Sequence, residues 1–254
     1  ILTDPSQGDL TSVAASGDSY SAGRDVDRVS VRGGSVLEIM DADQAKADRR
    51  GRLVAGVLEV VGGSVITHPP ATVGSQFGLV LSVVDTMTVD ATSRVDVRGC
   101  GFLGGLSQGN NTQSGRTDGN VTVGGSTRRI GGSYGGLGGA GNIGGTPNAA
   151  YGSAAAPDEN GSGGGSDLGA AGSGGGVIRV DAATLQLDGT LVADGGEGSY
   201  YGGGGSGGSV WIRTRTIRGS GQVHADGAPG GVTSGGGGGG RVALFYEDAS
   251  GFSL

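Results

Sequence analysis

Three times toward the end of the chain a glycine tract runs into a short aliphatic segment, at intervals of 32 to 33 residues. Gly175-Gly176-Val177-Ile178-Arg179-Val180 aligns with Gly208-Ser209-Val210-Trp211-Ile212-Arg213 and with Gly240-Arg241-Val242-Ala243-Leu244-Phe245. Ala193-Asp194-Gly195 aligns with Ala225-Asp226-Gly227. A fixed period of this length marks a solenoid or array. Three strands fit in one period, over residues 177–180, 185–187 and 190–193, with a glycine tract leading to the next turn. That is the requirement of a right-handed parallel β-helix, an all-β solenoid in which each strand pairs with its copy one turn away. One turn buries about six aliphatics, worth roughly 1.5–3 kcal/mol each, against about 1–2 kcal/mol of backbone entropy for each ordered residue. A lone turn therefore does not hold, and several must stack.

Earlier strand signals lie at residues 26–31, 36–39, 53–61, 65–67, 79–84, 87–89 and 95–97, where apolar residues alternate with small or polar ones. Pro69 and Pro70 close one of these units, because proline cannot continue an internal ladder. The expected organisation is an extended arm over residues 1–24, first rungs over 25–99, a glycine-rich insertion over 100–176, and last rungs over 177–254. Residues 41–50 have helix-forming composition without an apolar stripe and are expected as a surface excursion.

Glycine (61) and proline (6) make up about a quarter of the 254 residues, a level that raises low complexity or disorder. Their clustering, with β-branched residues gathered between the tracts, speaks for strands and turns instead. Glycine brings no side chain to bury and loses the most freedom on ordering. The insertion is therefore either mobile or packed as threefold extended helices of the polyproline-II type, polyglycine II; partial order is expected.

A net charge of −7 and a single lysine, Lys46, leave no basic stripe for nucleic acid. No apolar stretch approaches the length of a membrane span, so no membrane insertion is expected. The one cysteine, Cys100, excludes an internal disulfide. The chain starts at Ile1 rather than methionine, which reads as a processed product or a piece of something longer. Three N-x-[ST] sequons, at Asn110, Asn120 and Asn160, are candidate N-glycosylation sites.

Chemistry-bearing residues are sparse. A polysaccharide hydrolase or lyase needs converging carboxylates. Asp181, Asp188, Asp194 and Asp226 are the candidates, and Asp194 and Asp226 sit at corners where aspartate caps a turn. No catalytic residues are assigned. His68 and His224 share no ligand spacing with each other or with Cys100, so no transition-metal site is expected. Calcium is the one ion left open. Gly163-Gly164-Gly165-Ser166-Asp167-Leu168 approaches the G-G-x-G-x-D repeat, with Ser166 where its fourth-position glycine belongs. The glycine run 202–208 satisfies a nucleotide-loop pattern trivially, and Gly-Lys is absent, so no cofactor is implied. Tyr134, Tyr151, Tyr200 and Tyr201 lie within glycine tracts, where aromatic rings can stack on sugars.

Several segments resemble a known family: Ile66-Thr67-His68-Pro69, Ser93-Arg94-Val95-Asp96-Val97-Arg98-Gly99, Ser133-Tyr134-Gly135-Gly136-Leu137-Gly138-Gly139, Tyr151-Gly152-Ser153, and the run 235–240 followed by Arg241-Val242-Ala243-Leu244-Phe245-Tyr246. Together, from Leu53 to Tyr246, they are similar to the glycine-rich repeat modules of large secreted bacterial and algal surface proteins. The segment before Leu53 departs from that pattern. The resemblance implies a pectate-lyase-like parallel β-helix outside the cell, with a structural or adhesive role and no catalytic residues to carry over. The leading expectation is a non-enzymatic subunit of a cell-surface fibre or surface layer. Its partners would be copies of itself, joined head to tail through residues 1–24. A glycan-binding adhesin is the first alternative, and a polysaccharide lyase or hydrolase the second.

Overall fold

The structure, a computed structural model, describes residues 9–10, 19–21, 26–41 and 48–253. Its strands in chain order are β1 (Asp9–Leu10), β2 (Ser19–Ser21), β3 (Val26–Val31), β4 (Val36–Met40) and β5 (Asp48–Val60). Then come β6 (Val65–Thr67), β7 (Gln76–Val89), β8 (Arg94–Asp96), β9 (Val177–Leu187) and β10 (Thr190–Val192). The last are β11 (Ser209–Gly219), β12 (Gln222–His224), β13 (Arg241–Phe245) and β14 (Asp248–Phe252). All fourteen pair in parallel. One sheet runs β1-β3-β5-β7-β9-β11-β13, with β14 also on β11, and the other runs β12-β10-β8-β6-β4-β2. The chain is thus a parallel β-solenoid, with each strand bonded to its equivalent in the next turn.

Columns of aliphatic side chains run up its interior. Leu37, Ile66, Val95, Leu191 and Val223 occupy one register position in successive turns. Val29, Leu58, Met87, Leu185 and Ile217 occupy another. Nearly all of these are buried in one continuous core. The early turns repeat every 29 residues (Leu37, Ile66, Val95) and the late ones every 32 (Leu191, Val223). The sequence reading found only the later period, and placed one pair a residue out. Val210 stacks on Ile178, not on Val177. The true offset sets inward residues on inward residues, whereas a one-residue slip would turn each to the opposite face.

A second correction concerns strand number. Segments 177–180 and 185–187 are halves of the single strand β9. Ile178, Val180 and Ala182 are buried, then Leu185 and Leu187, so the alternation changes phase after Ala182 while both halves still face the core. A strand keeps its buried face through such a change only by bending. The neighbouring pairs β5–β7, β7–β9 and β11–β14 carry register irregularities in the same middle region. Each turn therefore has two hydrogen-bonded sheets rather than three, and in the late turns the remaining side is glycine backbone.

The insertion adds no layer to the stack, since β9 pairs directly with β7 and β10 with β8. The extruded chain and the glycine tracts of the late turns form one hydrogen-bonded bundle. Residues 202–208 give its logic. Gly203 and Ser206 donate their N–H to Gly165 and Ser162, Gly204 and Gly207 to Gly235 and Gly238, and Gly205 and Gly208 to Gly196 and Ala193. Successive residues point to three different neighbours and the pattern repeats every third residue. This is the threefold extended helix of the polyproline-II type, packed as polyglycine II. The tracts are ordered because their backbone polar groups bond to one another, which meets the requirement that buried N–H and C=O groups be paired.

Close packing leaves no room for a Cβ at most of these glycines. At Gly205 it would lie 1.9 Å from the Ser173 carbonyl oxygen, at Gly237 1.9 Å from that of Gly205, and at Gly172 1.9 Å from that of Gly196. Side chains are admitted in a few polar pockets. The buried Asn148 accepts from Ser126 Oγ at 2.9 Å and Ser133 N at 2.8 Å, and donates to Ser133 O at 2.9 Å. Of the arm over residues 1–24, only Asp9–Leu10 and Ser19–Ser21 are described, and these pair within the chain's own solenoid on β3 and β4. Of residues 41–50, Asp48 to Arg50 belong to β5, and 42–47 lie outside the described residues.

Gly205→Ala is expected to cost about 1–3 kcal/mol or more, since backbone must move to admit the methyl group. Gly239→Ala, where nothing lies within 4 Å of the added carbon, should change stability little. Thermal denaturation of the two variants beside the parent checks both.

Candidate functional site

The glycine helices run outward from the solenoid and turn back at their far ends. The turns around residues 128–129, 142, 167–169, 199–201 and 231–233 come together there. Tyr201 N donates to Leu168 O at 3.3 Å, Gly231 N to Gly202 O at 2.9 Å, and Asn142 N to Thr233 O at 3.0 Å. Arg129 ties the cluster. Its guanidinium lies 3.6 Å from the Tyr201 ring centroid, reaches Asp167 at 3.3 Å, and donates to Asn142 Oδ1 at 3.2 Å and Thr233 Oγ1 at 2.8 Å. Tyr200 and Tyr201 pack with centroids 4.2 Å apart at 52°.

Two features set this end apart. Leu168, Tyr200 and Val232 are 59%, 57% and 59% exposed, and each stands 32 residues from the next, so the repeat carries one large apolar side chain at the tip of each of three successive turns. In addition, three of the six non-glycine residues with left-handed backbone among the described residues, Arg128 (φ 53°), Tyr200 (φ 42°) and Thr233 (φ 59°), gather here, the others being Leu106, Gln108 and Asn120. Such residues cost on the order of 1 kcal/mol each and gather at functional sites. A chain rich in glycine had the strain-free residue to hand.

The other tyrosine candidates are corrected. Tyr134 is buried, with its hydroxyl against Ser209 Oγ at 2.8 Å and Glu159 Oε2 at 3.0 Å. Tyr151 packs 4.9 Å from it and donates to Asn160 O at 2.5 Å. Burial raises both phenol pKa values well above the ordinary range. The Tyr134 ring cannot meet a sugar, and the half-buried Tyr151 turns its hydroxyl inward. Two sequons are corrected as well. Asn110 is 2% exposed and donates Nδ2 to Gly104 O and Ser114 O, and Asn160 is fully buried, so the fold has no space for a glycan on either. Asn120, partly exposed, donates Nδ2 to Thr72 O at 2.9 Å.

The four aspartates do not converge as a group, although Asp194 and Asp226 meet in adjacent turns. Asp181 pairs with Arg213, Asp188 accepts from Ser220 N, Asp194 accepts from Asp226 N, and Asp226 faces His224. Asp194 therefore bonds the next turn of the solenoid, not its own turn. A shallow groove at the solenoid's bend contains Asp181 and Glu247, which face Arg213 and Arg215. Asp167, from the calcium-like segment, faces Arg129. Among the described residues no group of three or more His, Cys, Asp or Glu side chains is placed to hold a metal. Burial pushes the Cys100 thiol up to about 12.

His68 serves the junction between the two halves of the fold. It is buried, its Nδ1 donates to Pro69 O at 2.8 Å, and its Nε2 accepts from Val177 N at 3.2 Å, where the insertion rejoins the solenoid. These partners fix the neutral tautomer. Burial, with a smaller effect from Arg50, lowers its pKa to about 4.

Arg129, Leu168 and Val232 were missed from sequence. Extending the 32-residue frame through the glycine tracts would have aligned Leu168 and Val232 with Tyr200. Nothing local marks Arg129, which comes from the insertion outside that frame. Comparison with protein-family models, curated proteins and solved structures found no match.

Because the unfolded chain takes up a proton on His68 near pH 6.5 and the folded chain only near 4, this group's contribution is complete above about pH 6.5. It is lost as pH falls toward 4. The loss should reach roughly 3 kcal/mol between pH 7 and pH 4. Denaturant titrations at a series of pH values should show a shallower dependence for His68→Gln over that window.

Proposed function

We propose that the chain is a non-enzymatic structural module of an extracellular fibre or surface layer, built by end-on stacking of solenoids. It would be a module of the kind its glycine-rich motifs resemble in large secreted surface proteins. The reading is carried by the last turn. β13 pairs on one side with β11, and no described strand lies on its other side. Val242, Phe245 and Tyr246 are about half exposed there, and Leu244, Ala249 and Phe252 are only partly buried against the core. A parallel edge with free N–H and C=O groups and apolar side chains is a template for another strand layer. A contact between one end of a molecule and the other end of the next does not close, and so builds filaments.

The β13 edge would meet the outer edges of β1 and β2 in the next molecule, which are strands of its own solenoid rather than a free arm. A non-catalytic role is supported by the turn-bonding use of the Asp194 carboxylate and by the ion-paired carboxylates of the bend.

Sedimentation velocity over a concentration series, with negative-stain micrographs, tests the reading. End-on oligomers growing with concentration are expected. Val242→Lys combined with Phe245→Lys should weaken association at least tenfold without lowering the melting temperature appreciably, since both positions are exposed. Monomers of the parent at every concentration would refute end-on assembly.

A further inference from the structure

We propose that the clustered tips of the glycine bundle bind a neutral glycan, with Tyr200 as the stacking platform and Thr233, Asn142 and Ser199 as the polar edge. The site lies on the bundle, away from the β13 edge, and does not depend on the structural reading above.

The exposed Tyr200 ring, backed by Tyr201 and through it by the Arg129 guanidinium, offers an aromatic face held from behind. Such a face matches the C–H face of a pyranose, and the phenol hydroxyl keeps its wet end in solvent. Leu168 and Val232, exposed at the equivalent position of the adjoining turns, add apolar surface to the same cluster. Ser199, Thr233 and Asn142 belong to the same cluster of turns; Ser199 Oγ donates to Ala170 O at 2.9 Å, and Thr233 Oγ1 and Asn142 Oδ1 accept from Arg129, which leaves the Ser199 Oγ lone pairs and the hydrogens of Thr233 Oγ1 and Asn142 Nδ2 for a sugar's hydroxyls. The charges of the cluster balance. Arg128 and Arg129 are matched by Asp167 and Glu197, and Arg129 is already bonded to Asp167, so no net field favours an acidic ligand.

Backbone hydrogen bonds already fix the tips. Ser199 N donates to Ala170 O at 2.8 Å, Gly202 N to Ser199 O at 2.7 Å, and Gly235 N to Arg129 O at 2.8 Å. Little ordering remains for binding to accomplish, which is the condition under which a small contact suffices. The left-handed conformation of Tyr200 fits the same account. Glycine or asparagine would occupy that backbone at lower cost, and Tyr200 instead holds an exposed ring there against Tyr201.

The test is an array of neutral and acidic glycans probed with the labelled full chain, followed by titration of the best neutral oligosaccharide. Binding of neutral glycans is expected, and Tyr200→Asn should reduce affinity at least tenfold while leaving the melting temperature unchanged or raised. Tyr246→Ala, on the β13 edge, should leave binding intact even if it disturbs assembly, so the two readings fail separately. Absence of binding to any neutral glycan would overturn the proposal. So would binding confined to acidic glycans, or affinity that survives Tyr200→Asn. Selective capture of lipid vesicles in place of glycans would also overturn it.

Discussion

The interaction on which this molecule depends is the backbone hydrogen bond between close-packed extended chains, repeated every third residue in three directions. Residues 203 to 208 make those bonds, and at every glycine among them a neighbouring carbonyl stands where a Cβ would otherwise project. Each such bond contributes only about 0.5–1.5 kcal/mol net, yet leaving a buried N–H unpaired costs more. Cooperation among many of them orders a stretch with few side chains to bury. Glycine, usually the residue of loose chain, here permits backbones to approach so closely that a Cβ has no room.

The fold thus joins two kinds of core. In the solenoid, columns such as Leu37, Ile66, Val95, Leu191 and Val223 exclude water with aliphatic side chains. In the bundle, backbone polar groups and a few buried polar side chains, Asn148 among them, satisfy one another. Both are assembled from the same turns, since each late turn runs from β-strand into glycine helix and back. They meet where the insertion departs after β8 and returns at Val177. There Gly176 N bonds Val97 O and the neutral ring of His68 accepts from Val177. Burying an imidazole at that seam ties the joint to the solenoid and makes it sensitive to acid.

Separating the two cores also separates the surfaces available for function. The solenoid ends in a strand edge that suits another layer of β-structure. The bundle ends in loop tips whose side chains are released from the hydrogen-bonding work done by the glycines behind them. The tips are where large side chains, Leu168, Tyr200 and Val232, reappear at the 32-residue interval.

Sequence alone determined the element type and the stacking. Runs such as Val36 to Met40 and Val65 to Thr67 alternate because one face must be buried, and the recurrence of glycine tracts demands equivalent turns. It did not determine the merging of two predicted strands into β9, because a bend leaves the same local alternation as a break. Nor did it separate the buried Tyr134 from the exposed Tyr200, or reveal Asn110 and Asn160 as interior residues, since all lie in similar glycine-rich surroundings. Whether such a residue faces inward depends on which of three neighbouring helices lies beside it. That neighbour comes from distant sequence, as when Gly203 bonds Gly165 and Gly204 bonds Gly235, and only the tertiary structure brings it into place.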